Sequence, residues 1–161
     1  MIRFFICLLI GIFSSGVGYS EVLSGSISYE VPSSFYGTWR VSSVMIDSDS
    51  PSNFKKKSSD IWNLYHRNGV ITLTNPFSGA TSSVNINYVN QNFVKFSSSG
   101  NFDGKILTDT VEITIDNDEF FGINTIVLDT LSNVDNKIIK SAKATYRLKG
   151  EKIAGMSIGE E

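Results

Sequence analysis

Enzymatic chemistry needs a nucleophile beside a base, a pair of carboxylates or a nest of metal ligands, and this chain is poor in all three. Its one histidine, His66, is the only imidazole that can serve as a base near neutral pH. No Gly-x-Ser-x-Gly elbow presents a serine to it. The one cysteine, Cys7, lies in an apolar run near the N-terminus, so Cys/His zinc ligation is not available. Asp116, Asp118 and Glu119 form a small carboxylate cluster around Asn117. They occupy a stretch that reads as a hairpin turn, where Asp and Asn are favoured for backbone reasons. Their spacing does not follow a calcium-binding EF-hand loop. Lys55-Lys56-Lys57 reads as the solvated face of a loop. The expectation is a protein without catalytic residues, metal ligands or cofactor, and not an enzyme.

The first twenty residues differ from the rest. Arg3 precedes the apolar run Phe4 to Phe13, and small residues follow at Ser14, Ser15, Gly16, Gly18 and Ser20. Basic start, short apolar core and small-residue cleavage region are the order of a secretory signal peptide. A membrane-spanning helix needs about 18–20 apolar residues. Residues 1–20 are therefore expected to direct export to a secreted or periplasmic location, with no stable membrane insertion afterwards. Without Arg3, 13 basic side chains oppose 16 acidic ones, a net charge of about −3. That balance gives no electrostatic case for nucleic acid or an anionic membrane. No thiol remains outside the leader, so the core must stabilise the fold. A chain of about 140 residues suffices for that.

Beyond a Ser-rich arm at 21–35, short alternating runs separated by turn residues fill 36–153, and a Gly-rich acidic tail covers 154–161. Close strand spacing with turn signals points to a barrel or sandwich. The sharpest signal is Asn68-Gly69 between Trp62–Arg67 and Val70–Asn75. Asn-Gly supplies the two positive φ angles of a type I′ turn. That turn pairs Arg67 with Val70, His66 with Ile71 and Leu64 with Leu73. Cross-strand partners share a face, so Trp62, Leu64 and His66 line the inside, with His66 at the rim. A three-residue loop at Asn90-Gln91-Asn92 would add Tyr88 and Phe96 to that inner face. Further strands are expected at Gly37–Ile46, Lys105–Ile115, Phe120–Thr130 and Lys137–Lys149. Together these make about eight antiparallel strands joined by short connections, apart from the long polar stretch Asp47–Ser59. An all-β up-and-down barrel satisfies the pattern by closing the sheet, and a β-sandwich is the alternative. The aromatic rings of Trp39, Trp62, Tyr88, Phe96 and Phe121 are expected to supply its bulk.

Gly37-Thr38-Trp39, early in the first long strand, resembles the Gly-x-Trp motif of the lipocalin and wider calycin families. The resemblance implies a tryptophan plugging the closed end of the barrel, with a basic side chain from the last strand across its ring. Arg147 is placed for that part, as a cation–π partner of Trp39. The long first loop is a second likeness. The chain lacks the family's Thr-Asp-Tyr motif, its helix after the eighth strand and its disulfide. An eight-stranded barrel can hold one small ligand or be filled by its own side chains. The functional expectation is an exported binding protein holding a small hydrophobic molecule among Trp62, Leu64, His66, Tyr88 and Phe96. The alternative is an interaction or envelope-structural protein with a filled interior.

Overall fold

A computed structural model describes residues 30–155. The expected leader, most of the arm and residues 156–161 lie outside the described residues. Eight antiparallel strands close into a barrel in sequence order: β1 Gly37–Ser48, β2 Lys57–Arg67, β3 Val70–Asn75, β4 Ala80–Asn90, β5 Phe93–Phe102, β6 Lys105–Asp116, β7 Glu119–Leu131 and β8 Ile138–Ala154. The barrel, not the sandwich, is what the alternation builds. Each strand is bonded on both sides, so no edge remains open to another chain.

The β2–β3 hairpin has the register that Asn68-Gly69 dictates: Arg67 opposes Val70, His66 opposes Ile71 and Leu64 opposes Leu73. Asn68 and Gly69 have φ of 52° and 79°. Three more hairpins use two-residue turns that begin with a positive φ, at Gln91, Asp103 and Asn117. At β4–β5 this departs from the three-residue loop expected from the sequence. Asn90 pairs with Phe93, and the ladder shifts between Ile86 and Tyr88. The bulge keeps Ile86 and Phe96 together inside. It also reverses Tyr88, which is exposed and faces Phe93 with ring centroids 6.0 Å apart. The inward tyrosine expected from strict alternation is thus corrected by one extra residue in the strand.

A short 3-10 turn, Ser33–Phe35, enters one end of the barrel, and Phe35 is fully buried there. Residue 35 therefore belongs to the core rather than to a loose arm. Trp39 Nε1–H donates to the Phe35 carbonyl oxygen at 3.1 Å, tying the plug to β1. Gly37 makes the sharp entry at φ 125°, where an added Cβ would lie 2.6 Å from the Ala154 carbonyl oxygen. Gly150 is open for another reason: a Cβ there would stand 2.1 Å from the Phe120 ring, which fills that space. Phe120 is fully buried and Phe121 half exposed, so the inward ring of β7 is the neighbour of the one expected.

At the opposite end lie the β1–β2, β3–β4, β5–β6 and β7–β8 connections. The longest, 49–56, carries a 3-10 turn at Pro51–Asn53 and then sends Phe54 into the core. Tyr146 Oη–H donates to the Lys55 carbonyl oxygen at 3.0 Å, fastening that loop to β8.

Candidate functional site

The interior divides into an aromatic floor and a polar middle. Trp39 and Trp62 are cross-strand partners on β1 and β2. Phe120 lies against both, with centroids 5.1 Å from Trp39 and 5.9 Å from Trp62. Phe96 meets the edge of Trp62 at 6.4 Å and of Phe35 at 5.5 Å. Leu64 is fully buried beside them. Leu64 and Phe96 thus belong to a packed floor.

The cation over Trp39 is Lys152, with Nζ 4.7 Å from the ring centroid. The expected Arg147 is exposed on the outer face, opposite Val44 and Ile123. Parity explains the correction: Tyr146 and Leu148 face inward, so Arg147 between them must face out. The last strand also runs five residues past Lys149, where it was expected to end, and so brings Lys152 to the closed end. Lys152 Nζ donates to the Ser34 carbonyl oxygen at 2.8 Å, and burial pushes its pKa below the usual lysine range. Lys152 therefore clamps the plug as well as the ring.

His66 is exposed at the closed end, its ring 6.3 Å from that of Tyr36. Its inward parity does not make it interior, because β2 ends one residue later. Of the five residues expected to hold a ligand, Trp62, Leu64 and Phe96 come together inside, while His66 sits at the rim and Tyr88 outside.

Above the floor lies a cavity of about 80 Å³. Val41, Ile126 and Leu148 give it apolar walls, and Trp62, Asn124 and Tyr146 give it polar ones. Ser43, Lys55, Ser58, Ser59 and Asp60 also line it, on the side of the 49–56 loop. Asp60 Oδ1 accepts from the Ile61 amide at 2.9 Å and from Asn75 Nδ2. Burial raises its pKa, opposed by those two bonds and by the Lys55 charge.

Sequence reading missed the two most unusual interior residues. Asp109 on β6 is 7% exposed and Asn124 on β7 is 2% exposed. Their side chains hydrogen-bond each other, and burial raises the Asp109 carboxyl to about 6. Asp109 Oδ1, Asn124 Oδ1 and Trp62 Nε1 are buried with no hydrogen-bond partner in the protein. A buried donor or acceptor left unmatched costs about 1–3 kcal/mol, so three in one barrel call for an explanation. Alternation offered a signal: Asp109 stands two residues from the inward Leu107 and Val111.

The carboxylates at 116–119 do turn and surface work. Asn117 Nδ2 donates to Asp116 Oδ1 at 3.0 Å, and Glu119 pairs with Lys149 at 2.8 Å. Among the described residues, no three His, Cys, Asp or Glu side chains group as metal ligands. Comparison with protein-family models, curated proteins and solved structures finds no match.

Proposed function

We propose that this chain is an exported β-barrel binding protein, secreted or periplasmic, that holds a small molecule inside the barrel. The observation that carries the reading is the interior cavity: apolar walls with a few convergent polar groups are the makeup of a ligand site. Its volume sets the size. About 80 Å³ is well below the roughly 300 Å³ at which drug-sized sites begin. A retinoid or fatty acid does not fit wholly inside. A molecule of a few non-hydrogen atoms fits, as does the end group of a larger one whose remainder stays near Lys55 and Ser58.

Gly37, Trp39 and Lys152 support a calycin-like kinship, since a glycine, a plugging tryptophan and a basic residue from the last strand meet at the closed end. The basic and apolar leader supports export. The charge balance gives no reason to invoke nucleic acid.

Native mass spectrometry of the protein isolated from its own source tests the reading. The expected spectrum shows a non-covalent adduct that is lost when Val41→Phe fills the cavity. A bare polypeptide mass in both samples counts against an interior ligand. The second reading then takes over, a loop-mediated interaction protein with a filled barrel. Phe77 and Val134, 85% and 95% exposed on the β3–β4 and β7–β8 connections, favour that alternative.

A further inference from the structure

We infer that the cavity selects a neutral molecule, or a neutral end group, carrying a hydrogen-bond acceptor and a hydrogen-bond donor a few atoms apart, as an amide or a hydroxyl-bearing fragment does. The inference rests on the interior being a binding site and says what chemistry that site recognises. Two independent observations meet here. One is the cavity itself, bounded by β1, β2, β7 and β8. The other is that two of its lining residues, each only 2% exposed, have a polar atom that the protein leaves unmatched.

Those atoms are complementary. Trp62 Nε1–H is a donor and nothing else. It faces the interior from β2, whereas the Trp39 indole on β1 is already satisfied by the Phe35 carbonyl. Asn124 Oδ1 is an acceptor on β7, and its amide is held by Asp109 behind it. Neither atom opens onto the cavity at rest, so a small turn of each side chain brings a ligand acceptor to Trp62 and a ligand donor to Asn124, while Val41, Ile126 and Leu148 enclose its apolar part.

Charge argues for neutrality. Asp60 lines the cavity on the loop side, and Asp109 supports Asn124 from behind. Both disfavour an anion beside them. A cation would meet Lys55 at the lining, whose charge already offsets that of Asp60, and would surrender its hydration among largely apolar walls. A neutral amide or alcohol gives up little and repairs two unmatched groups. Sites with buried hydrogen-bonding groups reject analogues that cannot satisfy them more strongly than apolar pockets reject small changes of shape.

The test uses the two indole N–H resonances of the ¹⁵N-labelled protein, assigned with Trp62→Phe. The probes are N-methylacetamide, acetone and xenon. N-methylacetamide carries both functions, acetone only the acceptor, and xenon neither. The expected result is a saturable shift of the Trp62 indole resonance with N-methylacetamide in the millimolar range. Binding of acetone should be at least tenfold weaker, and the tenfold preference should vanish in Asn124→Leu. Equal affinity for N-methylacetamide and acetone overturns the donor–acceptor inference but leaves an interior site. Occupancy by xenon alone does the same. No saturable shift with any probe, and no change in the Val41, Ile126 or Leu148 methyl resonances under xenon, defeats the interior site as well. The Val41, Ile126 and Leu148 methyl resonances of Asn124→Leu should still respond to xenon, which shows that this variant keeps the fold and the cavity.

Discussion

Asp109 is the residue whose cost is easiest to measure. Its carboxyl is raised from an ordinary 3.8 to about 6 by burial, only partly offset by Asn124. The folded state therefore holds the proton more tightly than the unfolded chain. Stability from that proton is full below pH 4, falls through pH 4–6 and is lost above pH 6. A shift of that size corresponds to about 3 kcal/mol. Asp109→Asn removes the ionisable group, so the variant should gain on the native protein as pH rises and stay ahead by up to that amount at pH 7–8. Urea unfolding from pH 4 to pH 8 gives the comparison, and parallel curves for the two proteins would refute the assignment. Asp and Asn ordinarily signal surface, which is why Asp109 and Asn124 were hard to place from composition. Their parity with Leu107, Val111 and Ile126 was the one signal that marked them as inward, and it was missed. Arg147 and Lys152 show the same rule in reverse. A basic residue in the last strand was foreseeable, but which one depended on where the strand ended and which side each residue took.

Turn chemistry decided how much could be read at the level of elements. Asn68-Gly69 specified a whole hairpin, because two positive φ values leave one register. Gly69→Ala meets no neighbouring atom but must keep φ near 79°, so it should cost about 1 kcal/mol, visible as a lower urea midpoint with an unchanged slope. The Gln91-Asn92 turn was less legible, since the bulge between Ile86 and Tyr88 has no sequence mark of its own. A one-residue slip sends every later side chain to the other face, which is how Tyr88 ended outside while Phe96 stayed in. The N-terminal plug was hidden by its Ser-rich composition. Phe35→Ala should cost about 3–5 kcal/mol, because a fully buried ring is removed and Phe96, Tyr36 and the Trp39 indole lose their support. Thermal unfolding would show it. A loss under 1 kcal/mol would mean that the plug adds little to the barrel.

Taken whole, the molecule is a closed ring of short-range hairpins with a single long-range seam. The ring was readable from strand count and turn spacing. The cavity was not, because it depends on which interior positions carry small or polar side chains. If the leader acts as proposed, N-terminal sequencing of the exported protein should begin near Glu21, and recovery of the intact Met1 terminus would count against export by this route. The seam has its own implication. Seven of the eight strand pairs join neighbours in the chain, but β1 and β8 meet across 96 to 116 residues, from Ser48↔Ala144 to Thr38↔Ala154. Hairpins can form as they emerge, whereas zipping the first strand to the last waits for the final residues of the barrel to arrive. Until then both outer strands present unpaired backbone. A chain threaded through a membrane pore would thus stay unlocked throughout its passage and snap shut only on the far side.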